Sequence, residues 1–122
     1  MASTSARRGA RAGATQRGSG TVLVLHGPNL NLLGTADPAR WGTETLAEVD
    51  ARLVEEAARR GVRLSAFQSN HEGALVDRVH AARDEGVRFV IVNPGSLAAG
   101  SVALGDALAA ARLPFIAVDL VN

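Results

Sequence analysis

The apolar run Val22-Leu23-Val24-Leu25 ends abruptly at His26-Gly27-Pro28-Asn29, and this break constrains the chain more than any other feature. A short β-branched and apolar run bounded by turn residues predicts a buried strand that empties into a loop. Val87-Arg88-Phe89-Val90-Ile91-Val92, followed by Asn93-Pro94-Gly95, repeats the pattern. Two such strands in one domain suit a parallel sheet, because parallel strands are covered on both faces and read as continuous apolar runs.

The segments between them supply the covering helices. Thr43 or Thr45 is a candidate cap, and Thr45 with Glu48 has the spacing of a capping box. Leu46, Val49, Leu53, Val54 and Ala57 form an apolar stripe at helical spacing, closed by Arg59, Arg60 and Gly61. Val62–Gln68 reads as a second strand with Val62, Leu64 and Ala66 inward. Ser69–Gly73 opens a helix whose core residues are Leu75, Val76, Val79 and Ala82, with Gly86 as its stop. Ser101 caps a third helix through about Ala111, and Pro114–Asp119 is a fourth strand. The order βαβαβαβ predicts an α/β domain of four parallel strands and three helices. The connection from Gly27 to Gly42 is long, and long connections are often functional.

Composition excludes several kinds of chemistry. The chain of 122 residues has no Cys, no Tyr and no Lys; all thirteen basic residues are Arg. Thiolate, tyrosinate and lysine Schiff-base mechanisms are therefore closed to it. Arg7, Arg8, Arg11 and Arg17 fall within residues 1–20, where there is no acid. That segment is expected to be a disordered basic tail ahead of a domain over residues 21–122. Beyond residue 20 nine Arg face twelve acids, a balance of −3. This predicts no nucleic-acid partner. The lack of a long apolar run predicts no membrane insertion, and the expected location is cytoplasmic. No P-loop or GxGxxG is present. His26 and His80 are read as structural histidines rather than metal ligands. His71 and Glu72 are read as a helix N-terminus, with Glu72 favoured by the dipole.

Four motifs carry a resemblance. His26-Gly-Pro-Asn-Leu-Asn-Leu-Leu-Gly34, Gln68-Ser-Asn-His-Glu-Gly73, Asn93-Pro-Gly95 and Ser101-Val-Ala-Leu-Gly-Asp-Ala107 resemble the type II 3-dehydroquinases, in order and at matching spacing. The resemblance implies a flavodoxin-like doubly wound sheet, a trimer or dodecamer, and dehydration of 3-dehydroquinate to 3-dehydroshikimate in the shikimate pathway without cofactor or metal. It implies that Asn29 helps to stabilise the enolate through a held water; a turn-forming Asn is the other reading. Asn93 matches a substrate-binding Asn, with a loop cap as the alternative. Asp106 matches a residue that reaches a neighbouring subunit's site, with a solvated helix acid as the alternative.

The resemblance also marks departures. The family's tyrosinate base falls at Trp41, and the Arg that holds it charged falls at Ala36. An indole N–H donates only and cannot take a proton. Arg40, next to Trp41, is read as a solvated surface residue. The family's acid, a His, falls at Asp119, followed by Leu120 and by Val121 in place of a Ser that binds the substrate carboxylate. A further family His falls at Ala99, and an Arg of the third helix falls at Gly105. The family continues into a further strand and helix that are not in this sequence, which would leave the fourth strand at an edge and favour oligomers. The expectation is a dehydroquinase-like protein with weak, altered or lost activity toward a small cyclic hydroxy or keto acid, Asp119 being the candidate acid–base of any changed chemistry. The alternative is a non-catalytic scaffold or regulatory subunit mixed with an active paralogue.

Overall fold

The computed structural model describes residues 20–118, without the side chains of 98–100. The basic tail up to residue 19, and Asp119, Leu120 and Val121, lie outside the described residues. Strands β1 (Thr21–His26), β2 (Arg63–Gln68), β3 (Val87–Asn93) and β4 (Phe115–Ala117) form one sheet of order β2-β1-β3-β4. Every pairing is parallel. The helices are α1 (Pro38–Trp41), α2 (Leu46–Arg59), α3 (Glu72–Glu85) and α4 (Val102–Ala110). Short 3-10 turns occupy Leu30–Leu32 and Gly95–Gly100. No helix among the described residues is long and apolar enough to cross a membrane.

Alternation along the strands sorts the side chains between two faces. Leu23 and Leu25 of β1, with Val90 and Val92 of β3, meet Leu75, Val79 and Ala82 of α3 and Leu104, Ala107 and Leu108 of α4 in the main core. A register shift opposite Thr21/Val22 lets Val87 join the same face as Val90. Val24, His26, Ile91 and Asn93 point the other way, toward Val49 and Leu53 of α2. The sheet is therefore wound on both faces, as the alternating pattern of strands and helices requires.

The caps follow the sequence. Thr45 and Glu48 form the expected reciprocal capping box, and Gly86 closes α3 in a left-handed conformation. Ser101 accepts from the Leu104 N–H to cap α4.

Three expectations are corrected. Val54 is exposed, because Val49 and Ala57 are the residues of α2 that become buried. Ala66 is also exposed, and it is Phe67 of β2 that packs against the main core. Val62 and Leu64, on the same alternation as Ala66, are half-buried. The fourth strand spans only Phe115–Ala117, although the Val118 N–H continues its pattern by donating to the Val92 carbonyl. The long connection after β1 also holds α1, a single turn started by Pro38.

Candidate site at the carboxyl rim of the sheet

In a doubly wound sheet the loops beyond the carboxyl ends of the strands form the binding rim. Here the loops after β1 and β3 are pressed together. A Cβ on Gly27 would lie 2.0 Å from the Pro94 carbonyl oxygen, so only glycine allows this approach. The Gly27 N–H donates to the Asn93 carbonyl at 2.8 Å, and the Ser69 N–H donates to the His26 carbonyl at 3.1 Å. The ends of β1, β2 and β3 are thus tied at one level. Gly34, with φ 82°, packs against the backbone of Thr43, Glu44 and Thr45, which anchors the far end of the first loop to the start of α2.

A polar chain runs across this rim. Gln68 donates from Nε2 to the Gly27 carbonyl at 3.1 Å and to Asn70 Oδ1 at 3.0 Å. Asn70 Oδ1 also accepts from the Asn29 N–H at 2.9 Å, and Asn29 Nδ2 donates to Ser96 Oγ at 3.2 Å. Asn29 is exposed and left-handed, with φ 72°. Asn29 is thus a turn residue whose amide stands at the rim.

Below the rim lies a second polar group. His26 and Asn93 are almost wholly buried, at 1% and 2% exposure. His26 Nε2 lies 2.8 Å from Asp50 Oδ1 on α2, and Asn93 Nδ2 lies 3.2 Å from His26 Nδ1. His26 is structural, as expected, but it is also the link between α2 and Asn93 at the end of β3. Sequence reasoning missed Asp50. Its signal was present, since an acid stands between Val49 and Leu53 on the buried side of an amphipathic helix. His80 is exposed on α3.

His26 and Asn93 line a cavity of about 550 Å³ between α2 and the sheet, with Val24, Val49, Leu53 and Ile91 as its apolar wall. Arg52, Glu55, Glu56 and Arg59 bring mixed charge to its α2 side. Of the other expected site residues, Asn29, Trp41 and Asp106 are not in this lining.

Trp41 stands on α1, 37% exposed, with the Arg40 guanidinium carbon 5.1 Å from its ring centroid. Arg40 is exposed as expected, but it stacks on its neighbour, a cation–π geometry. Asp106 is exposed on α4. Ala99 belongs to the 3-10 turn after β3. Across the other side of the rim, Ser101 Oγ donates to Glu72 Oε2, which joins the N-terminus of α4 to that of α3. Glu72 thus faces the positive ends of two helices, more than its sequence position alone implied.

Residues 20–122 match the family model described as dehydroquinase class II. The 3-dehydroquinate dehydratase of Ralstonia pickettii (strain 12J) is 60% identical over 101 residues, covering 83% of this chain and 65% of its own length. That of Halorhodospira halophila is 54% identical over 101 residues, covering 83% of this chain and 68% of its own. Among solved structures, a type II dehydroquinase from Butyrivibrio crossotus superposes with a TM-score of 0.76 at 32% identity, covering 81% of this chain and 69% of that one. The chain thus spans about two thirds of the length of these relatives.

Proposed function

This chain belongs to the class II dehydroquinase family, and we propose that its rim is a site for 3-dehydroquinate in which proton transfer is weakened. The observation that carries the proposal is the joined corner of Gly27-Pro28-Asn29 and Asn93-Pro94-Gly95, which brings Asn29 and Asn93 to one end of the sheet. Two amides there suit a polyhydroxylated ring, because each offers both a donor and an acceptor.

Dehydration of a β-hydroxy ketone needs a base for the proton beside the carbonyl, a stabiliser for the enolate oxygen and an acid for the departing hydroxyl. Asn29 supplies the amide for the second task. At the position of the base, Trp41 has no lone pair to offer. Its exposed ring, backed by Arg40, serves instead as a wall against the ligand, and Arg40 brings positive charge near an anionic substrate. Asp119, at the position of the acid, delivers a proton only while protonated, and an ionised carboxylate there repels the substrate's own. Each missing proton-transfer group costs about 10²–10⁴-fold.

The test is direct. Purified protein mixed with 3-dehydroquinate is followed by the absorbance of the conjugated enone product. The expected rate is several orders of magnitude below that of a Tyr-containing relative, and Trp41→Tyr combined with Ala36→Arg raises it. A native rate equal to the relative's overturns the proposed weakening; absence of ligand binding overturns the site.

A further inference from the structure

The buried group below the rim has a feature that follows from counting hydrogens. Asp50 Oδ1, 2.8 Å from His26 Nε2, is an acceptor, so Nε2 carries a hydrogen. Asn93 turns its Nδ2 toward Nδ1 at 3.2 Å, and an amide N–H requires a bare nitrogen opposite. Both contacts are satisfied by a single species, the neutral imidazole with its hydrogen on Nε2. The other self-consistent arrangement is an imidazolium with the Asn93 amide turned over, its oxygen facing Nδ1.

We infer that Asp50, acting through His26, fixes which end of the Asn93 amide a bound ligand meets: the carbonyl oxygen, which takes a ligand hydroxyl and rejects a carboxylate. His26 and Asn93 are both almost fully buried, so the contact between ring and amide is shielded from bulk water. Asp50 is the outward end of the chain, 27% exposed, and it stands on α2 rather than on a rim loop. A helix on that face therefore sets the orientation of the amide at the end of β3. Asp50 and His26 are positioning residues; only Asn93 meets the ligand. The ligand half of this inference rests on the 3-dehydroquinate reading above.

The experiment reads orientation and binding separately. Nitrogen-15 spectra of the histidine side chains report the tautomer of His26 in the native protein, in Asp50→Leu and in Asp50→Glu. The expected native signature is the neutral form with hydrogen on Nε2. Asp50→Leu removes the acceptor and moves the hydrogen to Nδ1, turning the amide over. Asp50→Glu retains an acceptor-only carboxylate and the native tautomer. In parallel, the dissociation constant for 3-dehydroquinate rises about three- to tenfold in Asp50→Leu, the worth of one hydrogen bond, and stays near native in Asp50→Glu. If turnover is measurable, KM carries the change and kcat does not. Should Asp50→Leu fail to fold, Asn93→Asp tests the same contact, since an acceptor facing Nδ1 shifts His26 to the imidazolium signature. An imidazolium in the native protein, or an unchanged tautomer in Asp50→Leu, overturns the inference. A native Nε2–H signature with no binding of 3-dehydroquinate overturns the functional reading while the orientation stands.

Discussion

The α carbon of Gly27 faces the Pro94 carbonyl so closely that a methyl group placed on it would sit 2.0 Å from that oxygen. This contact holds two rim loops in register, one from β1 and one from β3. The opposing atom is backbone, held by the Leu97 N–H that donates to the same carbonyl at 3.1 Å, so it cannot swing aside as a side chain would. Gly27→Ala is expected to destabilise the fold by about 3 kcal/mol, at the upper end of overpacking costs. Urea unfolding of the variant beside the native protein measures this, and it also shows whether the loss is confined to the midpoint or changes the slope.

Ser101 has two tasks, capping α4 and donating to Glu72. Ser101→Ala removes both and is expected to cost about 1–2 kcal/mol, against about 1 kcal/mol for Thr45→Ala, which removes one side of the α2 capping box. In Glu72→Gln the Ser101 cap is kept while the charge near two helix N-termini is lost, and the expected cost is below about 1 kcal/mol. Thermal melts of the three variants rank these contributions. A Ser101→Ala variant as stable as the native protein would separate the α3–α4 junction from the stability of the fold.

Gly105 lies inside α4, half-buried, yet a Cβ there meets no atom within 4 Å. Glycine in a helix interior costs about 1 kcal/mol relative to good helix formers. Gly105→Arg is therefore expected to keep the fold and to raise stability by up to about 1 kcal/mol, read from the urea midpoint.

Much of the scaffold was legible in the chain itself. The breaks at Gly27-Pro28 and Pro94-Gly95, the Thr45/Glu48 spacing, Gly86 and Ser101 each encode a local conformational requirement, and such requirements need no knowledge of distant residues. The apolar periodicity of α3 likewise named its core face. Periodicity does not settle burial, which depends on what a neighbouring element covers: Ala66 and Val54 have the right period but are exposed, while Phe67 packs against the main core.

The site divides in the same way. Residue types alone closed the thiolate, tyrosinate and lysine routes, and the motifs carried the family. The sequence could not join Asp50 to His26, 24 residues apart, or His26 to Asn93, 67 residues apart. These contacts exist because β1 and β3 are paired in register, His26 opposite Asn93, and because α2 lies across that end of the sheet. Local sequence sets the conformations a segment will adopt; only tertiary pairing decides which buried polar groups must satisfy one another.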